Sequence, residues 1–357
     1  MEKILVYPFN YEFLSFINQS DKLYDCEINS LVSPKGWLED KNQYKLNNKL
    51  IEVSDSFYEE VNKNSLVWFV ETLHDIDLEK YIVPQIKYCL ETNKKIIYSR
   101  NDIDLLLEHL TESEVNKLKY NFGDNYDTVE NFYSTYKIIT PVVFICDAFG
   151  GLETFNLQVE LINNIKNRGY SVVGLSNKNY SHLFDIKKMP SYINSEKVSM
   201  KRKIINFNHY LKDIERELKP DLIVIEVPGE LFSYSPKMLS NFGLKPFEMS
   251  YAVQNDCGIL CVPLDIYDSS NYEILSDAIK NKFGINIDYM IGERKVVDSY
   301  ETEIRQQMVY VHLDEDIDNN YMNLTNDKLY LNFSSDINRL IDNIVNQLKM
   351  YASIISV

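Results

Sequence analysis

VVFICDAFGGLETFNLQVELINNIKNRGYSV, residues 142–172, decides the fold of the second half of the chain. It opens with a continuous apolar run, passes through a turn with two adjacent glycines, and then keeps apolar residues at helical spacing from Phe155 to Arg168. Short continuous apolar runs are typical of buried strands, and apolar residues three and four apart are typical of one helix face. The stretch therefore predicts a strand, a glycine turn and a helix, in that order.

The turn departs from a phosphate-binding P-loop. A P-loop needs glycines that let backbone N–H groups converge on phosphate, a Lys that neutralises phosphate charge, and a Ser/Thr hydroxyl for magnesium. Here Gly150 and Gly151 are present, but Glu153 and Thr154 stand at the positions of the Lys and the Ser/Thr. A carboxylate near a polyphosphate is unfavourable unless a metal ion lies between them. We therefore expect a degenerate nucleotide site, whose helix N-terminus can still hold a weaker anion.

Apolar strand patterns alternate with helical patterns through most of the chain, which is typical of βαβ units and mostly parallel sheets. The segment 34–48 is predicted as a loop, 10–20 and 77–94 as helices, and 120–137 as a linker. The turn after the first strand, YPFNYEF, has no glycine, which argues against NAD at that turn. The predicted fold is α/β with two three-layer domains: a Rossmann-like domain at 1–135 and a P-loop-NTPase-like domain at 136–357.

Length and charge limit the function. A chain of 357 residues fits two domains, and no apolar run approaches the roughly 18 residues that cross a bilayer. The N-terminus has no basic region or cleavage site of a signal peptide, which predicts a cytoplasmic protein. A net charge of −16 argues against nucleic acid and anionic membrane surfaces and favours a basic partner.

Cysteines and histidines indicate no metal centre. The five cysteines are scattered, which is typical of reduced, buried thiols, and the pair Cys257/Cys261 has no further ligand at metal spacing. The acidic run HLDEDIDNN, at 312–320, lacks the glycine and terminal Glu of a calcium loop. Among five scattered histidines, His182 follows a strand end and His209 lies in a predicted helix. Both are candidates for a cleft, although a loop and a helix-surface role are the favoured interpretations.

The order of elements in the second half resembles the P-loop subclass that includes dethiobiotin synthetase and the cobyrinate amidases. In that subclass the third strand ends in an acidic residue followed by glycine. The resemblance implies that Glu226 is the magnesium-side carboxylate, that Gly229 lets its loop approach phosphate, and that Asp147 flanks the first turn.

Longer stretches resemble the peptide maturation system proteins that accompany radical-SAM maturases and small precursor peptides in bacterial natural-product clusters. The matching segments are ILVYPFNYEF (4–13), LVSPKGW (31–37), F--Q--L-------GY-V (155–172), SHLF (181–184), MPSYI (189–193), INFNHYL (205–211) and KPDLIVIEVPG (219–229). The family keeps Lys-Phe before the Gln-bearing helix and more often a glycine at the position of Glu226, so Thr154 and Glu226 depart from its pattern. The resemblance implies an accessory role in maturing a ribosomally synthesised peptide and supplies no reaction.

Three hypotheses follow. The first is an accessory protein that binds a precursor peptide or a maturation enzyme, with a Lys-rich peptide favoured by the acidic charge. The second is a nucleotide- or acyl-CoA-dependent transferase using Gly150, Thr154 and Glu226, because a D-glutamate N-acetyltransferase family has a similar two-domain plan. The third is a structural subunit without a ligand. A magnesium nucleotide, a homo-oligomer and the presence of any enzymatic activity stay open at this point.

Overall fold

The computed structural model describes residues 1–10, 13, 20–37, 43–46, 49–72, 76–100, 102–121, 132–238, 242–313, 324–332 and 334–355. The chain forms two compact units. The first comprises Met1–Asp127 and Lys178–Lys188, and the second comprises Thr128–Asn177 and Met189–Val357. The sequence prediction used one boundary near residue 135, whereas in the structure the short segment 178–188 also belongs to the first unit. Most of the predicted linker and of the predicted helix at 10–20 lie outside the described residues, as does most of HLDEDIDNN.

The first unit contains a mostly parallel sheet. Its strands are β1 (Glu2–Tyr7), β2 (Cys26–Val32), β3 (Gln43–Leu46), β4 (Lys49–Ser54), β5 (Leu66–Phe69) and β6 (Lys95–Tyr98). They lie in the order β3-β4-β2-β1-β5-β6, and β3 alone runs antiparallel to its neighbour in this described sheet. The predicted loop at 34–48 is therefore wrong at Gln43–Leu46. This edge strand buries only Leu46, so no apolar run indicates it in the sequence.

Short helices cover the first sheet. They are α1 (Phe57–Val61), α2 (Leu78–Tyr81), α3 (Val83–Glu91), α4 (Ile103–Glu108) and α5 (Glu112–Asn121). The helix predicted at 77–94 is two helices, because Pro84 occupies the first turn of α3, where its missing N–H needs no partner. Leu5, Val67 and Ile86 are among the residues that form the core of this unit. The segment 178–188 contributes a 3₁₀ turn at Ser181–Phe184 and the two-residue strand β9 (Lys187–Lys188).

The second unit is built on a parallel sheet of longer buried strands. They are β7 (Val142–Asp147), β8 (Val172–Ser176), β10 (Leu222–Glu230), β11 (Cys257–Pro263), β12 (Tyr289–Glu293) and β15 (Leu329–Leu331), in the order β15-β12-β11-β7-β10-β8. A separate antiparallel hairpin consists of β13 (Lys295–Val297) and β14 (Tyr310–His312). Because the central strands are parallel, their carboxyl ends collect Asp147, Ser176 and Glu293 at one edge.

Helices of seven to 22 residues accompany this sheet. They are α6 (Thr154–Asn167), α7 (Met200–Leu218), α8 (Leu244–Ala252), α9 (Ser269–Phe283), α10 (Ser299–Arg305) and α11 (Ser334–Ile355). The predicted α/β class with mostly parallel sheets is confirmed. Within the described ranges, no helix combines the length and apolar character that a membrane crossing requires. All five cysteines are buried free thiols.

Candidate functional site

The turn between β7 and α6 is closed by the side chain of Asp147. Asp147 ends β7 and is 8% exposed. Its Oδ1 accepts the backbone N–H groups of Phe149 at 3.0 Å and Gly150 at 2.7 Å, and its Oδ2 accepts that of Leu152 at 2.9 Å. In a P-loop, the N–H groups of this turn point at phosphate. Here three of them donate to the chain's own carboxylate.

A second carboxyl group occupies the N-terminus of α6. The Glu153 N–H donates to both carboxyl oxygens of Glu293, at 2.8 and 2.9 Å. Glu293 ends β12 and is 2% exposed. Helix N-termini attract carboxyl groups for the same reason that they attract phosphate, because their first N–H groups have no partner within the helix. Burial raises the pKa of Glu293 to about 8, against the opposing influence of Lys295.

Lys295 supplies a cation that the sequence prediction missed. It begins β13, and its buried ammonium Nζ lies 3.0 Å from Glu153 Oε1, 3.8 Å from Glu293 Oε2 and 3.5 Å from the Gly151 carbonyl oxygen. Burial alone would raise the pKa of Glu153, but the Lys295 ammonium holds it below its ordinary value. Burial would likewise lower the pKa of Lys295, and the Glu293 and Glu153 carboxyls raise it instead. Lys295 and Glu153 therefore form the charged pair of the site.

The sequence contains a weak indication that Glu293 and Lys295 belong to a site. Glu293 and Lys295 are two residues apart in GERKVV, directly after an apolar strand, at the end of the sheet where ligands bind in α/β folds. Strand alternation would have placed both on one side. Nothing in the sequence indicates that this side meets the turn at 147–154.

Thr154 and Glu226, two of the residues that the sequence assigns to the candidate loop, lie in contact with each other. Thr154 Oγ1 donates to Glu226 Oε1 at 2.8 Å, and Ser176 Oγ donates to Glu226 Oε2. All three side chains are buried. In P-loop NTPases a Ser/Thr hydroxyl and an acidic residue in similar places hold magnesium. In this chain the two hydroxyls satisfy both oxygens of the carboxylate.

The hairpin β13–β14 lies against the glycine turn. Tyr310 OH donates to the Gly150 carbonyl oxygen at 2.6 Å. Gly150 and Gly151 have φ of +94° and +80°, and a Cβ on Gly151 would lie 3.1 Å from a ring carbon of Tyr310. Glycine at 151 therefore permits both the left-handed backbone and the approach of the tyrosine ring. The two glycines serve packing within the chain here.

The remaining candidates make other contacts. Gly229 has φ of +76°, and the nearest atoms to a Cβ there belong to the Lys245 side chain. His209, on α7 in the second unit, stacks on Phe132 at a centroid distance of 3.6 Å and contacts the Ser134 carbonyl oxygen through Nε2. His182 belongs to the first unit, where its Nδ1 lies 3.2 Å from the Asn179 carbonyl oxygen.

Gln158, the glutamine of the F--Q--L pattern, has a structural role. It is fully buried on α6, and its Nε2 donates to the carbonyl oxygens of Leu175 at 2.9 Å and Val224 at 3.0 Å. It therefore joins the helix to both β8 and β10, next to the Glu226 site.

The residues of this cluster do not fit a magnesium nucleotide. Asp147 and Glu293 accept the N–H groups that would hold phosphate, and position 153 is acidic. The described residues at the turn include the carboxyl groups of Asp147, Glu153, Glu226 and Glu293, with Lys295 as their cationic neighbour. A polyphosphate would be repelled by this charge, and it would have to displace two buried carboxyl groups.

Comparisons with known proteins establish the fold. No protein-family model matches the chain, and no curated protein matches it in sequence. The structure is similar to that of a DUF1611 family protein from Anabaena variabilis, with 10% identity and a TM-score of 0.56 over 97% of this chain and 100% of that one. The MinD cell division protein of Aquifex aeolicus is 10% identical, with a TM-score of 0.32 over 60% of this chain and 97% of that one. At 10% identity, the likeness to the DUF1611 family protein concerns the fold alone.

Proposed function

We propose that this chain is a cytoplasmic accessory protein in the maturation of a ribosomally synthesised peptide, and that it binds the precursor peptide or a maturation enzyme without nucleotide chemistry. One observation supports the proposal that the protein carries out no nucleotide chemistry. The turn that would cradle phosphate donates its N–H groups to Asp147 and Glu293. An α/β unit whose phosphate position is filled by its own carboxyl groups is suited to binding and scaffolding.

The assignment to peptide maturation is supported by the quoted sequence segments. Three of them lie at places that hold the second unit together: KPDLIVIEVPG contains most of β10, INFNHYL lies within α7, and F--Q--L includes Gln158, which joins two strands. These segments stabilise the fold of the second unit. Their resemblance to the peptide maturation family therefore supports a similar architecture and does not indicate a reaction.

The charge of the chain supports a basic partner. With a net charge of −16, the protein attracts Lys-rich peptides over long range and repels nucleic acid and anionic lipid. Such steering acts mainly on the association rate and weakens with added salt.

A direct test is calorimetric titration of the full chain with a precursor peptide encoded beside its gene. A scrambled peptide of the same composition is the control, because it retains the charge and loses the sequence. We expect saturable binding of the native peptide and weak, salt-sensitive binding of the scrambled one. Equal binding of both peptides would show that the interaction depends on net charge alone, and it would contradict specific recognition of the precursor peptide.

The second candidate is a nucleotide- or acyl-CoA-dependent transferase. The observation that favours it is the buried set of Thr154, Ser176 and Glu226, which places two hydroxyls on one carboxylate at the edge where P-loop proteins hold magnesium. Thermal shift with Mg-ATP, Mg-GTP and acetyl-CoA distinguishes the two candidates. A saturable stabilisation that Glu226→Ala abolishes would favour the transferase and contradict the accessory role.

A further inference from the structure

A groove of about 500 Å³ lies at the carboxyl ends of β2 and β4 in the first unit. The two strands are parallel neighbours, and Ser33 N donates to the Ser54 carbonyl oxygen at 3.0 Å just beyond β2. The groove is lined by residues that include Ser33, Lys35, Gly36, Glu52, Asp55 and Glu60. Ligands of open parallel sheets bind at such carboxyl ends. The groove is formed in part by the LVSPKGW segment, whose function the site in the second unit does not explain.

Ser33 is the observation that points to a ligand. Its side chain is 4% exposed, and its Oγ has no hydrogen-bond partner among the described residues. Buried hydroxyls in native proteins are nearly always bonded, because an unpaired one loses its hydration without compensation. A buried, unpartnered hydroxyl on a residue that lines a groove gains a partner when the side chain turns towards a bound polar group.

The charged side chains that line the groove indicate the charge of the ligand. Glu60 is already engaged, since its carboxylate accepts Ser30 Oγ at 2.7 Å and pairs with Lys63 at 2.6 Å. Glu52 and Asp55 form no ion pair with another described residue. Lys35, which is exposed at the mouth, is the cation among the described lining residues. The available carboxylates thus outnumber the available ammonium group, which favours a cationic ligand.

Gly36 lies at the mouth of the groove and has φ of +86°; a Cβ placed there would have no atom of the described residues within 4 Å. Glycine is favoured at this position because L-residues rarely adopt a positive φ.

We propose that this groove binds a primary ammonium group, with Ser33 Oγ accepting one of its N–H bonds and the Asp55 and Glu52 carboxylates balancing its charge. An ammonium has three N–H donors and no acceptor, so one hydroxyl oxygen and two carboxylates match it. The ammonium belongs either to a Lys side chain of a polypeptide or to a free amine. The inference stands independently of the peptide-maturation proposal, because it depends only on the groove.

The test is calorimetry on the full chain with three probes: a capped pentapeptide with a central Lys, the same peptide with norleucine, and cadaverine. We expect saturable binding of at least one amine probe and none of the norleucine peptide. Tighter binding of the Lys peptide assigns the site to a polypeptide, and tighter binding of cadaverine assigns it to a free amine; both results support the site. No saturable heat from either amine at millimolar concentration, or equal binding of the norleucine peptide, would overturn the proposal.

Variants separate binding from folding. Ser33→Ala should weaken amine binding about tenfold, because a hydrogen bond to a charged group is lost. It should leave the melting temperature unchanged or higher, because its Oγ has no partner in the described structure. Asp55→Asn should weaken binding, and Lys35→Met should strengthen it by removing the competing cation. Glu91→Gln, an equal charge change at an exposed position on α3, should have no effect; a loss as large as that of Asp55→Asn would refute the site.

Discussion

Glu293 places both of its carboxyl oxygens within 2.9 Å of the backbone nitrogen of Glu153, although the two residues are 140 positions apart. The contact joins the carboxyl end of β12 to the first turn of α6. In a nucleotide-binding P-loop domain, this end of the helix faces phosphate. In this chain the Glu293 carboxyl group therefore occupies a position that is suited to a ligand. The carboxyl groups around this position lead to testable predictions.

Lys295→Met should destabilise the second unit by roughly 1–3 kcal/mol, because it leaves the partly buried Glu153 carboxylate without its cation. Urea unfolding measures the effect. Lys201→Met, at an exposed position on α7, is the matched control and should change the free energy of unfolding by less than about 0.5 kcal/mol. Adding Glu153→Gln to Lys295→Met should recover part of the loss, since the two residues form one ion pair. Fully additive effects would contradict the pairing.

The raised pKa of Glu293 should make the free energy of unfolding depend on pH. Its pKa is raised from 4.5 to about 8 by burial, so between these values the folded protein holds a proton that the unfolded chain releases. This contribution is present below about pH 4.5 and is lost as the pH rises towards 8, at most about 1.4 kcal/mol per pH unit. Glu293→Gln should remove it. We expect the stability of the wild type relative to Glu293→Gln to fall from pH 5 to pH 8 in urea unfolding; a difference that does not vary with pH would show that Glu293 is ionised in the folded protein.

Gly151→Ala should be more costly than Gly169→Ala. Both glycines have positive φ, +80° and +89°, so each alanine adopts an unfavourable backbone at a cost of about 1–2 kcal/mol. Gly151 lies against the Tyr310 ring, whereas a Cβ on Gly169 would meet no atom of the described residues within 4 Å. The difference between the two variants in thermal unfolding measures the contact with the hairpin. It should shrink in a Tyr310→Ala background, and an unchanged difference would place the cost elsewhere.

Gln158→Met should cost roughly 2–3 kcal/mol, because the carbonyl oxygens of Leu175 and Val224 lose a buried donor while the side-chain volume is nearly kept. Hydrogen exchange should show faster opening of β8 and β10 in this variant. Asn164→Met is a control on the same helix, since among the described residues Asn164 donates to the Glu160 carbonyl oxygen, one turn away on α6 itself. Similar losses of stability in both variants would indicate that methionine destabilises α6 itself, and that the hydrogen bonds from Gln158 to β8 and β10 contribute little.

Much of this architecture could be predicted from the sequence. The continuous apolar run before Asp147 and the helical spacing after Thr154 predict β7, the turn and α6. Thr154 and Glu226, which the sequence assigns to one candidate loop, contact each other because adjacent parallel strands end at the same edge of the sheet. The exceptions were places where the pattern is weak: β3 at a half-exposed edge, and the segment 178–188, which belongs to the first unit.

By itself the sequence determined the α/β class, the succession of β7, the glycine turn and α6, and the absence of a lysine from the turn, because hydrophobic periodicity and residue identity are local properties. Only the tertiary structure decided what occupies the turn. Glu293, Lys295 and Tyr310 reach it from more than 130 residues downstream. Their arrival depends on how β12 and the β13–β14 hairpin pack at the sheet edge, and packing between distant segments leaves no periodic signal in the chain.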